Sequence, residues 1–135
     1  MSKVTIVAGL PGSGKTFYRQ NDPILRDQVH IDIQDVYADL PDEAWGGVMS
    51  ALCCKLQKVL RQNASVVVEG CFLPGSQSLN WLKMEARRCR AIVDYVLMDT
   101  PVNVCRQRIL DDRDSGRVAA GLSQIRLNLL ERLTK

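Results

Sequence analysis

The sequence predicts an α/β layer sandwich built on a short parallel sheet, and three observations predict it. Short apolar runs rich in β-branched residues alternate with longer stretches of helical periodicity. A glycine-rich turn joins the first run to the first helical stretch. Acidic residues stand just after the runs, at the carboxyl ends where ligands of such sheets bind.

Lys3 to Ala8 reads as a buried strand through Val4, Ile6, Val7 and Ala8, and the stretch from Lys15 to about Gln20 as a short helix stopped by Asn21-Asp22-Pro23. Gln28 to Ile33 reads as a second strand followed by a polar bend through Gln34 and Asp35. Pro41 suits a first helical turn, and Trp45, Val48, Met49, Leu52, Leu56, Val59 and Leu60 recur at helical spacing up to Asn63, an apolar stripe that needs no ligand to explain it. Ser65 to Glu69, with Val66, Val67 and Val68, is the clearest buried strand and suits a parallel sheet covered on both faces. A loop with Pro74-Gly75 leads to a helix from about Ser76 to Arg90, then to a fourth strand, Ala91 to Met98. Thr100-Pro101 reads as an N-cap and first-turn pair for a helix to about Asp111. A polar connection, 112–121, precedes a last amphipathic helix with Leu122, Ile125, Leu129, Leu130 and Leu133.

The most specific chemistry lies in Gly9-Leu10-Pro11-Gly12-Ser13-Gly14-Lys15-Thr16, which fits the phosphate-binding pattern G-x-x-x-x-G-K-[ST] at every specified position. Gly9, Pro11, Gly12, Ser13 and Gly14 shape a turn whose N–H groups face a polyphosphate, Lys15 reaches the β/γ-phosphates, and the Thr16 hydroxyl is a Mg²⁺ ligand. Gly12 to Phe17 lacks the third glycine of a dinucleotide fingerprint, and the lysine points to a nucleoside triphosphate instead. Asp32, Asp35, Glu69 and Asp99 then follow strands two, three and four. A carboxylate after strand two suits general-base work on an acceptor hydroxyl; Asp35 is preferred and Asp32 competes, because strand alternation could bring either to the pocket edge. Glu69 suits a Mg²⁺-bound water or the acceptor.

Composition sets the frame. With 135 residues, 46% of them apolar, the chain can bury one core, so 1–135 is read as a single domain. Without an apolar stretch of the ~18–20 residues a membrane span needs, a cytoplasmic protein with no membrane partner is expected. Cys53, Cys54, Cys71, Cys89 and Cys105 form no C-x-x-C pair and read as buried, reduced thiols. A net charge of +3 does not by itself argue for nucleic acid, although arginines including Arg108, Arg113, Arg117 and Arg126 crowd the second half and suit phosphate contacts.

Together, the loop at 9–16, His-Ile-Asp-Ile-Gln-Asp at 30–35, and Asp-Thr-Pro at 99–101 before an Arg-rich helix resemble the small P-loop kinases, above all the polynucleotide kinase-like branch that neighbours the zeta-toxin kinases. The resemblance covers nearly the whole chain. It implies a three-layer P-loop NTPase fold of adenylate kinase-like topology, ATP and Mg²⁺ as cofactors, and transfer to an acceptor hydroxyl on a nucleic-acid end, a nucleotide or a small metabolite. It implies Asp35 as the base, and a short lid at 112–121 in which Arg113 and Arg108, with Arg117 in reserve, meet the phosphates. Segment 36–64 is the candidate acceptor-side flap. Departures are visible too: Glu69-Gly70-Cys71-Phe72 stands where related enzymes more often carry aspartate, and only Tyr37 offers a polar group soon after Asp35. Gln34 keeps a slow NTPase switch open as the alternative.

Overall fold

The computed structural model describes residues 2–39 and 45–135. Four strands, β1 (Lys3–Gly9), β2 (Val29–Asp32), β3 (Val66–Gly70) and β4 (Ile92–Met98), form one parallel sheet in the order β2-β3-β1-β4. Six helices accompany them among the described residues: α1 (Lys15–Asn21), α2 (Ile33–Asp39), α3 (Trp45–Arg61), α4 (Gln77–Arg88), α5 (Val102–Asp114) and α6 (Ala120–Leu133). The predicted parallel α/β sandwich is therefore the observed one.

Strand alternation sorts the side chains into layers. Val4, Ile6 and Ala8 of β1 and Val66 and Val68 of β3 face a core completed by Val36 of α2, Met49, Leu52 and Leu56 of α3, and Leu79 and Leu82 of α4. On the opposite face, Val7 and Val67 pack with Leu25 and, on α1, Tyr18. A third small cluster, Cys105 and Ile109 of α5 with Leu130 of α6, closes against Leu10 of the glycine-rich loop. These contacts tie the last two helices to the loop.

Three local expectations change. Strand β2 stops at Asp32, and the backbone turns at once into α2 instead of continuing to Ile33 and a bend, because Asp32 Oδ1 accepts the Gln34 N–H at 2.8 Å in the manner of an N-cap. Thr100 does not cap α5: that helix begins after Pro101, and the Thr100 hydroxyl donates instead to the Ser13 carbonyl at 2.8 Å. Helix α5 also runs to Asp114, so the polar connection shortens to residues 115–119, with Gly116 at φ +76°. The cysteines are free thiols, but only Cys53 and Cys105 are buried and Cys54 is exposed. Pro41 lies outside the described residues. Among the described residues of 36–64, α3 is spent on the core, and none of them lines the cleft described below.

The loop after β3 is held from the sheet edge. The Tyr95 hydroxyl donates to the Phe72 carbonyl at 2.7 Å, and Gly70 lets Phe72 and Ile33 close in, since a Cβ there would stand 2.5 Å from the Phe72 ring and 2.7 Å from Ile33. Tyr95→Phe is expected to cost about 1 kcal/mol in urea unfolding, the worth of one hydrogen bond whose acceptor is left behind.

Candidate functional site

A cleft of about 930 Å³ opens at the carboxyl ends of the strands. Its floor is the predicted phosphate loop. Gly12, at φ +79°, cannot carry a side chain, because a Cβ would stand 2.5 Å from the Cys105 carbonyl of α5. Two side chains fix the loop from outside it: the Thr100 hydroxyl donates to the Ser13 carbonyl, and Arg108 Nη1 donates to the Gly12 carbonyl at 3.3 Å. Lys15 Nζ donates to the Gly9 and Leu10 carbonyls at 2.9 and 2.8 Å, which places its ammonium inside the curl of the loop. Burial lowers the Lys15 pKa from its ordinary value, with the acidic side chains of Glu69 and Asp32 nearby opposing that shift.

The acidic wall comes from adjacent strands. Asp32 and Glu69 are register partners on β2 and β3, and alternation turns both toward α1, away from the core that Ile31 and Val68 enter. Glu69 is almost fully buried, and its Oε2 accepts the Thr16 hydroxyl at 3.0 Å. Asp32 is pushed up to about 6, first by burial and next by the neighbouring Glu69 carboxylate, while the Gln34 N–H pulls the other way. Asp32, Glu69, Thr16 and Lys15 all line the cleft.

Asp35 is placed differently. It sits in the first turn of α2, exposed, and is not among the residues lining the cleft. Of the expected arginines, Arg108 and Arg117 line the cleft, whereas Arg113 does not; its Nε pairs with its neighbour Asp114 at 3.0 Å. Arg117 lies 3.7 Å from Asp112. Arg126 of α6 also lines the cleft, half-buried and without a hydrogen bond or ion pair among the described residues. Only its membership of the arginine-rich second half signalled it in the sequence, because nothing local shows which helix face meets the loop. Phe17 and Gln20 of α1 complete the mouth, Phe17 being 72% exposed. Asp94 and Asp99 stand apart, both exposed, with Asp94 paired to Lys3 at 2.9 Å.

The donor set suits Mg²⁺. No group of three or more His, Cys, Asp or Glu that could hold a metal occurs among the described residues, but Mg²⁺ bound with a nucleotide needs only one or two protein oxygens beside phosphates and waters. Thr16 Oγ1 and the Glu69 carboxylate that accepts its hydroxyl are such oxygens.

No protein-family model matches the sequence, and no curated protein matches it either. Solved structures do. A chain of the Pnkp1/Rnl/Hen1 RNA repair complex superposes with a TM-score of 0.67 at 17% identity, covering 97% of this chain. This chain spans 44% of that one's length. The fold is that of the small P-loop kinases. A sugar kinase from Janibacter sp. matches with a TM-score of 0.63 at 15% identity over 96% of this chain and 78% of its own. APS kinase CysC from Mycobacterium tuberculosis, solved with AMPPNP and APS, matches with a TM-score of 0.59 at 17% identity over 87% and 76%. At these identities the likeness is one of fold, and the P-loop kinase fold carries no choice among acceptors.

Proposed function

We propose that the chain is an ATP- and Mg²⁺-dependent phosphotransferase that moves a γ-phosphate to an acceptor hydroxyl. The observation that carries this reading is a carboxylate, Asp32, standing in the same cleft as a complete phosphate loop and beside Glu69. The loop N–H groups and Lys15 bind and orient the phosphates. Mg²⁺ would be held by Thr16, with Glu69 behind it toward a Mg²⁺-bound water, and would supply charge neutralisation at the phosphate oxygens. Asp32 takes the base role in place of Asp35: its pKa, raised toward neutrality, fits a group that accepts a proton from an attacking hydroxyl. Arg108, Arg117 and Arg126 supply positive charge over the transferring group.

Acceptors to test are polynucleotide 5′-hydroxyls, following the resemblance of the RNA repair chain, and then nucleotides and small metabolites, following the sugar and APS kinases. A transfer screen with labelled ATP across 5′-hydroxyl DNA and RNA, nucleosides, nucleotides and sugars should label one class. ATP turnover that yields only inorganic phosphate with every acceptor would favour the switch reading, for which Gln34, at the cleft wall, is the water-orienting side chain.

The arginines give a graded prediction. Arg117→Ala and Arg126→Ala should each lower kcat about tenfold or more with smaller effects on nucleotide affinity, while Arg113→Ala stays within about twofold of the parent. Steady-state kinetics on the three variants checks it, and a dominant loss at Arg113 would mean that the 115–119 turn closes and carries Arg113 inward.

A further inference from the structure

A buried cation, Arg19, lies outside the residues that line the cleft. Arg19, on the last turn of α1, is 11% exposed at its side chain, and its Nε stands 3.5 Å from Glu69 Oε1, which belongs to a side chain 2% exposed. Both atoms are buried, and neither makes a hydrogen bond, so the pair is an ion pair held by placement within a closed layer between α1 and β3. The other oxygen of the same carboxylate, Oε2, receives the Thr16 hydroxyl. Glu69 thus has one oxygen committed to Arg19 and the other to the residue that faces Mg²⁺.

Charge accounting explains why this matters. Burying Glu69 in the middle of the sheet carries a desolvation cost that only a close cation offsets. Lys15 is a neighbouring cation, but its ammonium belongs to the loop interior, where bound phosphates compete for it. Once phosphates engage Lys15, Arg19 is the counter-charge that stays with Glu69. A seven-residue helix carrying Lys15 and Thr16 toward the cleft and Arg19 one turn later toward β3 sets this division by helical spacing alone.

We infer that Arg19 is a positioning residue: it anchors Glu69 Oε1 so that Oε2 takes the Thr16 hydroxyl proton and the Thr16 oxygen keeps its lone pairs for the Mg²⁺ that accompanies the nucleotide. The inference rests on the phosphotransferase reading. Without the anchor, Glu69 is free to turn both oxygens toward Asp32 and Thr16, and the metal position loses its fixed frame while the phosphate loop itself is untouched.

The test separates metal from nucleotide. Nucleotide affinity is measured by titration with ATP in EDTA and again in saturating Mg²⁺, for the parent, Arg19→Met, Arg19→Lys, Glu69→Gln and the Arg19→Met/Glu69→Gln double variant. In the parent, Mg²⁺ tightens binding. In Arg19→Met the EDTA affinity is expected to stay within about threefold of the parent while the Mg²⁺-dependent tightening falls at least about fivefold. Arg19→Lys should recover part of it, since it keeps the charge but not the Nε that faces Oε1. The double variant should show no loss beyond that of Glu69→Gln, as expected for two residues acting as one unit. Equal tightening in parent and Arg19→Met, or additive losses in the double variant, would overturn the positioning role and leave the functional reading standing. A parent that does not bind ATP more tightly with Mg²⁺ would overturn the functional reading and this inference with it. Should Arg19→Met fail to fold, Arg19→Gln, which keeps length and polarity but no charge, replaces it: full parental tightening would overturn the positioning role, and a reduced tightening at unchanged EDTA affinity supports it.

Discussion

Asp32→Asn is expected to lower phosphoryl transfer by about 10²–10⁴-fold, the usual worth of a positioned general base, with ATP affinity changed by no more than a few-fold. Asparagine keeps a side-chain oxygen to accept the Gln34 N–H, so the start of α2 is preserved and the loss is chemical. Asp35→Asn should stay within about threefold of the parent, because its carboxyl is exposed on α2 away from the cleft lining. Single-turnover transfer rates on the two variants separate the assignments, and a severe loss in Asp35→Asn with a mild one in Asp32→Asn would restore Asp35 as the base.

The same substitution has a second, opposite consequence for stability. The folded-state pKa of Asp32 lies above its ordinary value, so between about pH 4 and 6 the native state binds more protons than the unfolded chain. Stability of the metal-free protein therefore declines as pH rises through that window. Asp32→Asn removes this decline, and at pH 7 in chelator the variant should be more stable than the parent by roughly 1–2 kcal/mol, after discounting for the partly exposed position of the carboxyl. Urea unfolding of both proteins at pH 4.5 and pH 7 measures the difference. A functional carboxylate held at a cost in stability would show as a gap that opens only at the higher pH; an equal gap at both would assign it to something other than Asp32 ionisation.

Lys15→Ala is the second large effect. The ammonium sits within the loop, bonded to the Gly9 and Leu10 carbonyls, and the proposed function has it turn to phosphate oxygens when ATP binds. Losing it should weaken ATP binding by about 100-fold or more, equivalent to roughly 2.7 kcal/mol. The fold should survive within about 1 kcal/mol, since the glycine turns, Thr100 and Arg108 still hold the loop and the variant no longer buries an ammonium. Circular dichroism together with nucleotide titration checks both halves, and a folded variant that bound Mg²⁺-ATP as tightly as the parent would remove the phosphate-loop assignment.

The glycine-rich loop between β1 and α1 and the parallel sheet were legible from sequence because their signals are local. A strand of Val4, Ile6, Val7 and Ala8 followed by Gly-x-x-x-x-Gly-Lys-Thr specifies backbone conformation, charge and hydroxyl position within fourteen residues, and no distant contact is needed to read it. The β-branched run at 66–68 and the helical stripe of α3 declare their burial in the same way.

Asp32 against Asp35 could not be settled by that route. Asp32 follows Ile31 and Asp35 follows Gln34, and which of them meets the cleft depends on where β2 ends and on which neighbour shares its register. The strand ends one residue earlier than its apolar pattern suggests, because Asp32 caps α2, and pairing with Glu69 on β3 then turns Asp32 to the α1 side. The arginines divide for a related reason. Arg113 belongs to the last turn of a helix longer than its polar sequence suggested, while Arg126 reaches the cleft because Leu130 and Leu127 seat α6 against α5 and Leu10. Arg19 went unremarked as one basic residue among many until the fold buried it against Glu69. The sequence by itself determined the main strands and helices, their parallel arrangement and the glycine-rich loop between β1 and α1, since propensity, periodicity and turn residues act over a few positions. Only the tertiary structure decided which charges share the cleft, because side-chain company is set by register and helix packing between residues far apart in the chain, such as Asp32 and Glu69 or Thr16 and Glu69.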